Sequence, residues 1–421
     1  MHVLLLTHYF EPENGAPQRR WQQLISRFTE AGHSVSVIAP SPHYPSGRKQ
    51  PEHYGLYRPG TSATGEHGGK VYRVGWLPHR GDIVSRSVDH CFTAFQAYRT
   101  AARLINRGRI RPDVVVATAP AVETLVAGHL LSRRFGLPLV CEMRDAWPDL
   151  VTYTPTLQRD GGVVGQIKGL IHGAITRMQR RSAEVVTTTR EFARVLESRG
   201  LEHVHVVRNG TIPEVFEQVP SRSTGHGELR ALYMGNLGRS QGLDVVIRAA
   251  HNLQMLGLPV SVRFVGTGHA RRSLIALNER LGGPVEILPS VAPADVVEHY
   301  RWADTTIVSL RPWEPFAWTI PSKLYELLAS GRHITGLLAG ESAELLAETG
   351  AGDLVTPGDV AGLVALWQEL LANPERLEIG NGGRVWVREH AAYDALAERY
   401  LELLSGVLPT GESAKERGGR H

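Results

Sequence analysis

Between Trp318 and Arg332 the chain reads WTIPSKLYELLASGR, with its polar residues where a helix would begin. Pro321, Ser322 and Lys323 precede an apolar run that ends at Gly331, and Glu326 follows one turn inside. One reading is ordinary capping, in which the serine hydroxyl serves the first amides of the helix. The other is a ligand carrying anionic phosphates and a hydroxylated ring. A helix mouth and an ammonium attract the phosphates, and a carboxylate accepts from the hydroxyls. Two upstream loops favour the ligand. YMGNLGRSQGLD sets Gly235, Asn236, Arg239 and Gln241 between a strand pattern and a helix pattern, and FVGTG sets Gly266 after the next strand. Glycines there let backbone approach an anion, and Arg239 offers a fork of donors suited to phosphate. Each loop alone is a weak signal. With Lys323 at a third helix mouth, the three describe a site for a nucleotide sugar.

The first half offers fewer such residues. THYFEPENGAPQRRW puts Gly15 where a strand hands over to a helix, with Arg19 and Arg20 on the first turns. Gly15 reads either as an anion contact or as a plain turn stiffened by Pro12 and Pro17. No GxGxxG stands there, and no acidic residue occupies the position a dinucleotide site requires. CEMRDAWPDL follows an apolar strand, so its charges fall at the edge of the sheet where ligands bind. Arg144 and Asp145 either pair with each other or face a ligand. In the second case Asp145 accepts from a hydroxyl of the sugar or of the acceptor, and Trp147 packs on a ring face.

These loops need a scaffold, and the rest of the chain supplies one. In 421 residues, short apolar runs alternate with helix-length stretches, from HVLLLTHYF, SVSVIAP, KVYRVGW, DVVVATA, PLVCEMRD and EVVTTT to a second series, LRALYMG, VSVRFVG, VEILPS, DTTIVSL, HITGLL and GDLVTP. That is the signature of parallel sheets covered by helices. The expected division is a Rossmann-like acceptor domain over 1–210 and a linker over 211–228. A Rossmann-like nucleotide-sugar domain over 229–383 follows, then a helix over 384–408 packing back on the first domain, and a disordered tail over 409–421.

Composition excludes several classes. Cys91 and Cys141 are isolated, so no disulfide framework or cysteine metal site is expected. None of the 19 histidines falls in a ligand spacing, and no metal or cofactor is expected. No run is long and apolar enough for a membrane span, and MHVLLLTHYF reads as a buried strand. A cytoplasmic protein follows. The net charge of +4 is uneven: residues 1–210 hold 27 Lys and Arg against 17 Asp and Glu, a net of +10, which leaves −6 for the remainder. Arg99, Arg103, Arg107, Arg109 and Arg111 form one basic group and Arg177, Arg180 and Arg181 another. They are either solvated surface or a field for an anionic acceptor or an anionic membrane at the inner face. Nucleic acid is not expected, since no binding motif accompanies the arginines.

Taken in order, HYFEPENGAPQRRW, RDAWPDL, VVRNG, MGNLGRSQGLD, FVGTG, PSKLYELLASG and GDLVTPGD resemble glycosyltransferase family 4, the retaining enzymes of GT-B fold. The resemblance is nearest to bacterial enzymes that use UDP-linked N-acetylamino sugars in surface polysaccharide or secondary-metabolite pathways. It implies two facing Rossmann-like domains and transfer of a sugar to an acceptor hydroxyl with retention, without metal. The implied donor residues are Gly15, Gly235, Asn236, Arg239, Gln241, Gly266, Ser322, Lys323 and Glu326. The implied catalytic residues are Asp145, Lys323 and Arg239, and the implied acceptor residues Arg19, Arg144 and Trp147. The chain departs from the pattern in three places. Trp318 stands where the family carries an acid, Gln241 where it carries a lysine, and Thr118 nearest to where it carries a histidine. A non-catalytic nucleotide-sugar-binding protein and a GT-B epimerase are the alternative readings.

Overall fold

The computed structural model describes residues 1–13, 15–44, 47–49, 55, 57–80, 82–144, 146, 163–219, 227–292 and 295–408. The chain divides into two compact units. The first is Met1–Asn209 together with the segment that starts at Tyr393, and the second is Gly210–Ala392.

The first unit is built on eight strands: β1 (His2–Leu6), β2 (Ser34–Pro40), β3 (Ser62–Gly65), β4 (Gly68–Val74), β5 (Val114–Thr118), β6 (Leu139–Met143), β7 (Glu184–Thr187) and β8 (Val204–Val206). Their order across the sheet is β3-β4-β2-β1-β5-β6-β7-β8. All neighbours are parallel except β3 and β4. Every residue of β5 and β6 is buried, as the unbroken apolar patterning requires of a sheet covered on both faces. The sequence pattern missed β3 and β8. SATG is exposed and polar, an edge strand held by pairing rather than burial.

The second unit carries β9 (Leu229–Met234), β10 (Val260–Val265), β11 (Val285–Leu288), β12 (Thr305–Ser309), β13 (His333–Leu337) and β14 (Gly352–Val355), ordered β11-β10-β9-β12-β13-β14 and all parallel. Strand order reverses beside β1 in the first sheet and between β9 and β12 in the second. These switch points open a crevice beyond the carboxyl ends of the strands, where ligands of such sheets bind.

Two boundaries differ from expectation. Residues 211–219 are no linker: Pro213–Glu217 is helical, Phe216 and Val219 join the apolar cluster around Tyr300 and Leu324, and Glu217 pairs with Arg388 at 2.7 Å. The expected single helix over 384–408 is two, Gly382–His390 and Tyr393–Gly406. Between them the Thr211 amide donates to the Ala391 carbonyl at 2.9 Å, and Thr211 bridges Ala392. Pairing there overrides the helical pattern of EHAAYD. Tyr400 of the last helix packs its ring on Trp21 and Phe28 of the helix Ala16–Glu30, with centroids 5.6 and 6.0 Å apart. Residues 220–226 and the tail 409–421 lie outside the described residues. No helix among the described residues is long and apolar enough to cross a membrane.

Candidate functional site

In the second unit the three loops singled out in the sequence meet at the switch point. β9 ends at Met234 and β10 at Val265, and their glycine turns lie back to back. The Gly235 amide donates to the Val265 carbonyl at 2.9 Å, and a Cβ on Gly266 would stand 1.9 Å from the Gly235 carbonyl oxygen. A Cβ on Gly268 would likewise stand 2.4 Å from the Leu237 carbonyl, and both glycines have positive φ, 152° and 157°. Only glycine fits this close approach. The helix Ser322–Ser330 then presents its mouth to the same turn, since a Cβ on Gly235 would lie 3.6 Å from Cε of Lys323. Lys323 Nζ bonds the Glu326 carboxylate one turn along.

The capping reading of Ser322 fails. Pro321 holds the N-cap position, no side chain caps the helix, and Ser322 is its first helical residue. The proline costs nothing, because the first amides of a helix have no intrahelical acceptor. Leu324 begins the ladder by donating to the Pro321 carbonyl at 2.8 Å.

The remaining predicted donor residues line the glycine loop. Asn236 is exposed, and its carbonyl accepts from the Tyr233 hydroxyl at 2.8 Å. Burial pushes that phenol well above its ordinary range, against the pull of Lys323. Arg239 opens a 3₁₀ turn, Arg239–Gln241, and is exposed. Gln241 turns back instead of outward: its Oε1 is buried without a hydrogen-bond partner, 2.5 Å from where a Gly238 Cβ would be. Sequence reasoning overlooked Arg311, just after β12. Its Nε donates to the Arg239 carbonyl at 2.6 Å, its amide to the Ser240 carbonyl at 2.8 Å, and its Nη2 pairs with Asp244 at 2.9 Å. A basic residue straight after the buried strand TTIVS was the available signal. Trp318, in the place of the family's acid, ends the short helix Glu314–Ala317 and is half-buried.

The predicted residues of the first unit fare differently. Gly15 caps the helix Ala16–Glu30 with φ −171°, an extended backbone open to any residue, so no anion-directed turn requires a glycine there. Its hypothetical Cβ would crowd the flexible end of the Gln18 side chain, which reaches Glu13 at 3.2 Å, and would touch Pro17 at ordinary contact distance. Arg19 is exposed, while Arg20 is fully buried. Arg20 is bound to Glu142 at 3.0 Å and to the carbonyls of Val207 and Arg208. Glu142 also accepts from Trp21 at 2.8 Å. Arg144 is buried too, its Nε 2.8 Å from both Thr118 Oγ1 and the Ala119 carbonyl. It faces Glu142 at 3.7 Å. Arg144, expected at the sheet edge either paired with Asp145 or facing a ligand, is thus held by buried partners of its own sheet. Asp145 and Trp147 lie outside the described residues.

The first sheet also gathers residues that spacing rules could not find. His8 follows β1, His43 follows β2 and Asp89 lies on the helix Ile83–Asn106, and all three are buried. His43 Nε2 is 3.1 Å from Asp89 Oδ2, and His8 Nε2 is 3.3 Å from the same oxygen. Burial alone would raise the Asp89 carboxyl, but the two imidazoles hold it well below the carboxylate range. Burial pushes His8 down to about 3. At His43 burial acts the same way, yet Asp89 and the Ser41 carbonyl outweigh it and the ring stays raised. Outside them, the Tyr9 hydroxyl lies 3.4 Å from His90 Nε2, and His90 Nδ1 lies 3.4 Å from Glu123.

Comparison with known proteins adds the family. Residues 15–210 match the family described as "Glycosyl transferase 4-like domain", and residues 228–373 match "Glycosyl transferases group 1". A curated relative, named a colanic acid biosynthesis glycosyl transferase, WcaI, of Escherichia coli (strain K12), is 23% identical over 396 residues, covering 89% of this chain and 93% of that protein. Among solved structures, sucrose-phosphate synthase (tll1590) from Thermosynechococcus elongatus aligns with TM-score 0.72 at 16% identity, over 96% of this chain and 98% of that one. Anabaena Alr3699/HepE in complex with UDP-glucose aligns with TM-score 0.66 at 14% identity, over 96% and 100%.

Proposed function

Because the chain is a glycosyltransferase of GT-B type, formed of a glycosyl transferase 4-like region and a group 1 region, we propose that it moves an N-acetylamino sugar, GlcNAc or a relative, from a UDP-sugar to a hydroxyl of a lipid-linked or small-molecule acceptor, with retention. The observation that carries the donor half is the meeting of Lys323 with the Gly235 and Gly266 turns. The solved complex of Alr3699/HepE with UDP-glucose supports the same donor class. The choice of an N-acetylamino sugar rests on the sequence resemblance.

On this reading the diphosphate sits at the mouth of the helix Ser322–Ser330, where amides, Lys323 and Arg239 oppose its charge. Lys323 leaves Glu326 for the phosphate, which frees the carboxylate to accept from hydroxyls of the ribose or the sugar. The bond from the anomeric carbon to the phosphate oxygen breaks, and fixed donors stabilise the charge that develops on UDP. The acceptor hydroxyl attacks from the leaving-group side and its proton passes to the phosphate, so no protein nucleophile is needed. On this reading the protein's own cations, Lys323 and Arg239, do this work. Asp145 remains a proposed catalytic residue, and Arg19 and Trp147 remain proposed acceptor contacts.

A membrane-borne acceptor also accounts for one surface. Val84, Val88 and Phe95 are exposed along the helix Ile83–Asn106, with Arg99 and Arg103 exposed further along it and Arg107, Arg109 and Arg111 exposed just beyond. An apolar stripe beside cations suits an anionic bilayer surface.

Incubation with a panel of UDP-sugars and of lipid and small-molecule acceptors, read by mass spectrometry, tests the proposal. Transfer from UDP-GlcNAc or a related donor is expected. Activity confined to GDP- or ADP-sugars would overturn the donor assignment. Binding without transfer to any acceptor would make the chain a binding protein, and free UDP with a C2-inverted sugar would make it an epimerase.

A further inference from the structure

We propose that His8, His43 and Asp89 form a binding site for one divalent first-row transition-metal ion at the carboxyl edge of the first sheet. All three residues belong to the first unit. The argument starts from what the three side chains point at one another. The Nδ1–H of His43 donates to the Ser41 carbonyl at 2.8 Å, which leaves its Nε2 as the lone-pair nitrogen facing Asp89. Asp89 Oδ1 is already used by the Leu77 amide at 2.7 Å, so Oδ2 is the oxygen that faces both rings. His8 Nε2 approaches that same oxygen to 3.3 Å and yet is buried without a hydrogen-bond partner. His43 Nε2 and Asp89 Oδ2 thus face each other as acceptors, and the unpartnered His8 Nε2 converges on the same point. A single proton between His43 and Asp89 relieves that pair and leaves His8 unsatisfied, which is costly for a buried polar atom. A cation answers all three.

The dimensions agree. The three ligating atoms lie within 4.8 Å of one another. Bonds of about 2.0–2.1 Å from a tetrahedral ion to imidazole nitrogen and carboxylate oxygen set ligands about 3.3 Å apart. The 3.1 and 3.3 Å separations here are close to that edge. The donor set also selects the ion. Two imidazoles and one carboxylate suit zinc, cobalt, nickel or ferrous iron, and not magnesium or calcium, which prefer oxygen throughout. The outer contacts are those that hold metal ligands in place: a backbone carbonyl on His43 Nδ1, a backbone amide on Asp89 Oδ1, and the Trp76 ring stacked on His43 at 4.4 Å. Three protein ligands leave a fourth position to water. An ion here would tie the ends of β1 and β2 to the helix Ile83–Asn106. That is the corner where the Tyr9, His90 and Glu123 side chains also gather.

The test uses the untagged full chain, stripped with chelator and titrated with Co(II). About one equivalent is expected to bind, with the visible ligand-field absorption of a low-coordinate cobalt site and a rise in melting temperature that Mg(II) does not reproduce. His8→Gln and Asp89→Asn are expected to abolish the absorption and the thermal shift while circular dichroism stays that of the native fold. X-ray absorption of the wild-type cobalt form, which needs no variant to fold, is expected to count two imidazole ligands. Absence of cobalt binding, fewer than two imidazoles, or an unchanged spectrum in the folded variants would each overturn the proposal.

Discussion

The carboxyl edges of the two sheets are built in opposite ways. In the second unit the edge is backbone: glycine turns after β9 and β10 pressed together, a helix mouth, and few side chains, among them Lys323 and Arg239, still able to meet a ligand. In the first unit the edge is side chain: Arg20, Glu142, Arg144 and Thr118 form one buried polar group, and His8, His43 and Asp89 another. On the proposed reading the backbone edge receives an anion. The side-chain edge spends most of its charge on itself, so its contribution is to hold strand ends in register.

That contrast breaks first at Glu142. Removing one partner of a buried ion pair leaves the other charge unpaired, so Glu142→Ala should cost about 3–5 kcal/mol of stability in denaturant unfolding. UDP should still bind the folded fraction. Burial raises the Glu142 carboxyl, but Arg20 and Arg144 outweigh it and the net shift is downward from 4.5. A depressed folded value means the stabilisation is present above the unfolded value and is lost as pH falls through the folded one. Wild-type stability should therefore decline on acidification below about pH 4.5, and a flat acid limb would remove the ion pair from the account.

Gly266→Ala tests the backbone edge. Its Cβ would sit 1.9 Å from the Gly235 carbonyl, so the turn must shift, at a cost of about 1–3 kcal/mol, with UDP affinity falling alongside stability. Retained affinity would show that the paired turns do not shape the site. Lys323→Ala should leave stability near wild type and lower turnover at least tenfold, about 1.4 kcal/mol. Arg311→Ala sharpens the comparison at its smallest: loss of a brace on Arg239 and Ser240 should raise the donor KM by about 0.5–1 kcal/mol, the worth of a typical hydrogen bond. An unchanged KM would show that the loop holds its shape without the brace.

The same difference decides what the sequence could reveal. Strand–glycine–helix turns are local, so Gly235, Gly266, Lys323 and Glu326 were legible together, as was the alternation that gives two parallel sheets. Ligand spacing rules see only neighbours along the chain. His8, His43 and Asp89 come from three elements and meet through the parallel pairing of β1 with β2, which no spacing encodes. The burial of Arg144 was hidden for a related reason. Strand ends reach the ligand edge, but the side chain turned inward to Thr118 once β5 lay beside β6. The short strands SATG and VHV are held by pairing, and the break at Ala391 by Thr211. Both are tertiary effects that override local pattern.

The central claim is that the second unit gathers a nucleotide diphosphate against Lys323. Calorimetric titration of UDP into the wild-type chain and into Lys323→Ala measures it most directly. Saturable binding by the wild type, weakened at least tenfold in the variant and unchanged in His8→Gln, is the predicted result. Equal UDP affinity in wild type and Lys323→Ala would contradict it.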